Sequence, residues 1–297
     1  MTTQPDFIIF AQHGWSDNSN DISRLAQALA KGDSLVIAPS LGLWRTYWRI
    51  KPLIIRVEQV VKQYLLQYPQ TPWKIIGHSM GGLIWLEVLQ KNPQWWQQVN
   101  SLVIIGSPVG GADLARLIDP LGIGLGIARD LGKNRRPIAE KVAQNIPTLV
   151  IAGDIDGGSD GMVNLTTTKF NYCRFVCVPG IPHAALKCHP SLIPIIQDFW
   201  ANPQIGLPQM PNLATKIIQK LQSVPGMTDS HIRDFAKSQV QIKFANGVTL
   251  CTWKNTFGVD HVFVADAQNN CLYGGYIGWL EAPQLKQVLR EITTWED

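Results

Sequence analysis

The sequence predicts an α/β architecture, a mainly parallel sheet covered by helices on both faces, followed by a small α+β module. Three observations carry that prediction. Short apolar runs alternate with helical patterns through the first two-thirds of the chain. The stretch Asn202–Pro211 holds Pro203, Gly206, Pro208 and Pro211 and reads as a break. Beyond it the runs turn alternating and are joined by hairpin signals such as Asn246-Gly247. Continuously apolar strands are buried on both faces, the position of parallel strands between two helical layers.

Taken in order, Phe7–Phe10 is the first strand, followed by His13-Gly14 and a helix over Asp21–Ala30. Ser34–Ala38 is a second strand, ended by Pro39. A long helix runs from Pro52, suited to a first helical turn, to Tyr68. Trp73–Ile76 is a third strand and Met80–Gln90 the helix after it. Ser101–Ile105, Thr148–Ala152 and Arg174–Val178 complete the set, chosen as strands for their shortness and β-branching. Residues 110–145 are too long for a simple crossover and are expected to form a cap, with the glycine-bearing run Leu121–Ile127 and the cations Arg129, Lys133, Arg135 and Arg136. Those cations are read either as a solvated helix face or as a contact for anionic headgroups. The expected organisation is therefore a first domain over 1–203, a linker over 204–211 and an α+β module over 212–297. In the module, helices are expected at Asn212–Ser223 and Thr228–Lys237, strands at Gln239–Ala245, Val248–Lys254, His261–Ala267 and Leu272–Gly278, and a closing helix at Ala282–Ile292.

The composition narrows the function. The chain has 297 residues, 45% of them hydrophobic and 16% charged, enough for a sizeable core. A net charge of +4 is mild, and nucleic acid is not an expected partner. Five cysteines form no CxxC pair, so neither a zinc site nor a disulfide framework is indicated. The first ten residues lack a basic leader pattern and no apolar run reaches the roughly 20 residues of a membrane span. A soluble, cytoplasmic protein is the expectation.

The chemistry concentrates in Gly77-His78-Ser79-Met80-Gly81-Gly82, which follows a predicted strand and opens a predicted helix. A serine on so tight a turn requires neighbours without side chains two residues before and two after. The helix N-terminus then offers backbone N–H groups beside the hydroxyl. A serine hydroxyl needs a base to act as a nucleophile. Of six histidines, His183 follows the last predicted strand of the parallel sheet, in Val178-Pro-Gly-Ile-Pro-His183. His189 reads as a helix-start residue, and His231 and His261 as packing residues of the module. His78 adjoins Ser79, but adjacent side chains on such a turn are expected to diverge. The loop Gly153–Val163 offers Asp154, Asp156 and Asp160 as carboxylates. A cation site is disfavoured there, because Gly158 stands where a calcium loop needs an oxygen ligand.

The hexapeptide resembles the nucleophile elbow of the α/β-hydrolase superfamily in its lipase/esterase form, over about residues 6–201; the C-terminal module is outside the resemblance. That resemblance implies a chain order of nucleophile, acid and histidine, with Ser79 the nucleophile and His183 the base. Asp160, in Ser159-Asp-Gly-Met-Val163, resembles the superfamily's acid motif, while Asp156 fits the shorter spacing of other members and remains the alternative acid. The resemblance also implies an oxyanion hole from the backbone N–H groups of Met80 and of Trp15, in the loop Gln12–Trp15. Trp44, Tyr47 and Trp48 are read as pocket-mouth or packing residues. The expected activity is cleavage of carboxylic esters through an acyl-enzyme, with lipase-like acyl substrates preferred over small polar ones, without a cofactor or metal. An acyltransferase or thioesterase using the same triad, or a silent binding protein on the same fold, are the alternatives. A membrane-surface contact and a protein partner for the module stay open.

Overall fold

The computed structural model describes residues 4–111, 126–208 and 210–295. Residues 112–125 of the expected cap, including most of the glycine-bearing run, lie outside them, as does the side chain of Arg129.

Six strands form one parallel sheet: β1 (Ile8–Gln12), β2 (Leu35–Ile37), β3 (Trp73–His78), β4 (Val99–Ile105), β5 (Thr148–Asp154) and β6 (Arg174–Pro179), in the order β2-β1-β3-β4-β5-β6. All six lie where the apolar runs place them, because period-two burial puts alternate residues into two separate cores. Ile8, Phe10, Ile75, Leu102 and Ile104 face one cluster, together with α2 (Ile50–Gln67), α3 (Met80–Lys91) and α4 (Arg136–Ala143). Ile9, Ala11, Ile76, Val103 and Ile105 face the other, against α1 (Asn20–Leu29) and α5 (Leu192–Ala201).

The chain steps outward from β1 to β2 and then returns to the other side of β1 as β3. Neighbouring loops at the carboxyl ends of β1 and β3 therefore diverge and leave a crevice, where ligands of open parallel sheets bind.

A second, antiparallel sheet follows: β7 (Thr228–Asp229), β8 (Gln239–Lys243), β9 (Thr249–Lys254), β10 (Asp260–Ala265) and β11 (Cys271–Ile277), ordered β7-β11-β10-β9-β8. Helices α6 (Leu213–Gln222) and α7 (Ala282–Ile292) close its core around Ile217, Leu250, Val262 and Tyr273. Asn212 caps α6, its side chain accepting from Thr215 N at 2.8 Å. One expectation fails here. Thr228–Lys237 is not a helix; Thr228 and Asp229 pair with Tyr276 and Gly275 of β11, and only Ile232–Lys237 coils, as a 3-10 turn. Long-range contacts override local propensity, because the Asp229 carboxylate is drawn inward onto Arg136 of the first unit and Tyr273 of β11.

Arg135 and Arg136 also depart from the solvated-face reading. Arg135 is buried, its Nε donating to Glu87 Oε1 at 3.0 Å, and Arg136 is buried against Asp229, so both hold the fold together. Among the described residues no helix is long and apolar enough to cross a membrane.

Candidate active site

The turn after β3 shows why its glycines are required. Ser79 sits at φ 55° and ψ −126°, a conformation few residues with side chains adopt. Its N–H donates to Ile105 O at 2.8 Å, and its carbonyl accepts from Gly82 N at 3.1 Å and from Ser107 Oγ at 2.7 Å. A Cβ on Gly77 would come within 2.6 Å of Gly82 Cα, one on Gly81 would strike the Gln12 carbonyl, and one on Gly82 would strike Ser107 Oγ. The surrounding loops thus fix the strained serine, and its side chain stands at the crevice between β1 and β3.

The structure brings Ser79, His183 and Asp160 together from three separate loops. Ser79 Oγ lies 3.0 Å from His183 Nε2, and His183 Nδ1 lies 2.7 Å from Asp160 Oδ2. With Nδ1–H donating to the carboxylate, Nε2 is left as the acceptor for the serine hydroxyl. Asp160 is 2% exposed, and its other oxygen accepts from Met162 N at 3.0 Å and Val163 N at 2.7 Å. The His183 N–H donates to Asp160 O at 2.9 Å, tying the two loops by backbone as well.

The three aspartates of the 154–160 turn have separate tasks. Asp154 Oδ1 accepts from the N–H groups of Gly157 at 2.8 Å and Gly158 at 3.0 Å and shapes the turn. Asp156 points away from His183: it accepts from Ser159 N and Ser159 Oγ, both at 2.8 Å, and meets His231 Nε2 of the second unit at 3.2 Å. Burial alone would raise its carboxyl, but the His231 and Ser159 contacts outweigh that and hold it below the usual range. Asp160 alone reaches the imidazole. No group of three His, Cys, Asp or Glu among the described residues is arranged to hold a metal.

The expected oxyanion donors flank the serine. Met80 is the first residue of α3, so its N–H has no intrahelical partner. Trp15 follows Gly14, which approaches so closely that a Cβ there would lie 2.8 Å from Ser79 Cβ. The loop is braced by His13, fully buried, whose Nε2 accepts from Leu41 N at 3.0 Å while Nδ1–H donates to Gly14 O at 3.0 Å. Burial lowers its pKa.

Two contributors escaped the sequence reading. His78 does not diverge from the site: its ring centroid is 4.8 Å from that of His183, and its Nε2–H donates to His183 O at 3.1 Å. Burial, then the neighbouring His183, push its pKa well below the ordinary histidine value, so it braces His183 as a neutral ring. Lys187 bonds Asp17 at 2.8 Å and Asp21 at 3.1 Å, joining the His183 segment to the loop after β1. Neither residue carries a local sequence signal, since each role depends on a neighbour far along the chain.

Ser79, His183, Trp15, Met80, Leu131 and Met162 are among the residues lining a cavity of about 270 Å³. A larger cavity, about 540 Å³, opens at the other end of the sheet around Lys31 and Lys74, and no serine–histidine pair lines it. All five cysteines are unpaired. Trp44 and Trp48, read as mouth or packing residues, are 79% and 76% exposed.

Residues 54–173, which include Ser79 and Asp160, match the family model of the PGAP1-like alpha/beta domain. Solved structures of similar shape include a lipase of Bacillus licheniformis in its mature form, 15% identical with a TM-score of 0.52, matched over 67% of this chain and 93% of that one. The propeptide form of that lipase aligns at 13% identity and a TM-score of 0.55 over 92% and 68% of the two chains. A Butyrivibrio proteoclasticus protein solved with ferulic acid bound aligns at 17% identity and a TM-score of 0.52 over 67% and 90%. No curated protein sequence matches. At these identities the likeness establishes the fold.

Proposed function

We propose, on the fold this chain shares with α/β-hydrolases, that it is a serine hydrolase of carboxylic esters. One observation carries the reading: the hydrogen-bonded series from Ser79 Oγ through His183 to Asp160, set in a strained turn at the mouth of a cavity. As the hydroxyl attacks the ester carbonyl, its proton passes to His183 Nε2 and Asp160 stabilises the imidazolium that forms. The carbonyl oxygen, now an anion, receives the N–H groups of Met80 and Trp15. Collapse breaks the bond to the leaving alkoxide, which takes the proton from Nε2 and departs as an alcohol. Water then repeats the sequence on the Ser79 ester, with His183 as base, and releases a carboxylic acid and free Ser79.

The five unpaired cysteines support a reducing, cytoplasmic setting. The cavity volume lies below the usual 300–1,000 Å³ of drug-sized ligand sites, which supports entry of the reacting ester with only part of a long chain.

The test is hydrolysis of p-nitrophenyl acyl esters together with labelling by a fluorophosphonate. The wild type is expected to turn over the ester and label at Ser79, and Ser79→Ala to lose at least about a thousandfold in rate with its fold intact. Equal rates in the two proteins would overturn the assignment.

A further inference from the structure

Beside the crevice the chain exposes an unusual surface. Gly42 leads into a 3-10 segment, Leu43–Tyr47, and Leu43, Trp44, Tyr47 and Trp48 are exposed at 46%, 79%, 41% and 76%. Folded chains rarely leave contiguous large apolar groups in water without a partner. The segment is nonetheless fixed: Thr46 is fully buried, accepting from Ser16 N at 3.1 Å and donating to Leu43 O at 2.6 Å. The aromatic series reaches the site itself. Trp44 lies 6.4 Å from Tyr47 between centroids, Tyr47 lies 5.0 Å from Trp15, and Trp15 lines the Ser79 cavity.

The segment's own charges have one sign. Between Asp33 and Glu58 the sequence holds Arg45, Arg49, Lys51 and Arg56 and no carboxylate. Arg49 is engaged by Asp130 at 3.0 Å, while Arg45, Lys51 and Arg56 are exposed. Tryptophan and tyrosine rings favour the headgroup level of a bilayer, and each nearby cation adds to the attraction of an anionic surface. Residues 34–57 offer a protein partner's cations no carboxylate to pair with, whereas an anionic lipid surface matches both the rings and the exposed cations.

We propose that Trp44 and Trp48, with Arg45, Lys51 and Arg56, seat this protein on an anionic bilayer beside the mouth of the Ser79 cavity. Resting on the ester-hydrolase reading, this assigns the substrate class to membrane-resident esters. The small cavity takes the reacting ester, and the remaining chain stays in the lipid.

The experiment uses the full chain as Ser79→Ala, so that lipid is bound but not consumed. Co-sedimentation is measured with vesicles of phosphatidylcholine alone and with a third phosphatidylserine. Binding is expected to be at least about tenfold tighter with phosphatidylserine and to weaken as salt is raised. Adding Trp44→Ala and Trp48→Ala should cost at least about tenfold in that binding. The same double substitution in the active chain should leave short soluble esters cleaved at the wild-type rate while slowing cleavage of vesicle lipid. Absence of vesicle binding, or equal binding by the double variant, would overturn the proposal. So would a dimer that the double variant abolishes while vesicles go unbound. A wild type that binds vesicles but cleaves no ester would instead refute the hydrolase reading and leave the docking surface standing.

Discussion

Asp229 offers the sharpest test of how the two sheets are joined. It is 1% exposed, pairs with the Arg136 guanidinium and accepts from Tyr273 OH at 3.0 Å. Arg136 also donates to Lys169 O at 3.0 Å and Thr166 O at 2.9 Å, so the cation spans both units. Asp229→Asn keeps the shape and leaves an acceptor for Arg136, but removes the charge opposite a buried guanidinium. Breaking a buried pair on one side costs about 3–5 kcal/mol, and the two backbone carbonyls place this case near about 3 kcal/mol. With a urea dependence near about 3 kcal/mol per molar, the midpoint should fall by roughly 1 M in tryptophan fluorescence. Proteolysis within 202–211 should accelerate as the module undocks. Replacing both partners, Arg136→Met with Asp229→Leu, should recover much of the loss, since apolar substitution of a whole buried pair is often near neutral. A loss below about 1 kcal/mol for the single variant, with the double variant no better, would refute a clamp built on this pair.

Further outcomes follow from the site. Asp160→Asn should lower kcat by about 10⁴ through the loss of imidazole orientation, whereas Asp156→Asn should cost under about tenfold; the reverse order would make Asp156 the acid. Gly81→Ala places a methyl group against the Gln12 carbonyl, and should abolish turnover and lower stability by a few kcal/mol, read by ester hydrolysis and thermal melting. His13 and His78 are held neutral, with pKa values below the 6.5 of a free histidine. The unfolded chain therefore binds these protons first. Their stabilising contribution is complete above about pH 6.5 and declines as pH falls, by up to about 1.4 kcal/mol per pH unit per proton. His78→Gln should flatten that decline in denaturation series, and an unchanged slope would refute the assignment to His78.

The second unit also meets the candidate site. His231 meets Asp156, which holds Ser159 immediately before Asp160, and the His231 ring lies 3.2 Å from where a Cβ on Gly158 would stand. The second unit thus packs directly against the loop that carries the candidate acid, although its own sequence bears no catalytic pattern.

What the sequence determined by itself was whatever rests on local sterics and short-range periodicity. Continuous apolar runs set six parallel strands, because strands buried on both faces admit few polar residues. The glycines around Ser79 identified a strained turn, since the close approach of other loops forbids any Cβ there. Naming His183, and narrowing the candidate acid to Asp160 or Asp156, drew besides on the resemblance to the α/β-hydrolase elbow, which implies a base and an acid on loops after successive strands. Tertiary structure decided the rest. It sent Asp156 to His231 and Asp160 to His183, turned His78 against His183, buried Arg135 and Arg136, and made Thr228–Asp229 a strand. Each of these depends on a partner dozens of residues away, and one-dimensional pattern does not encode which distant group will lie within 3 Å. Burial then makes the choice decisive, because an ionised or hydrogen-bonding group withdrawn from water must find its partner in the fold.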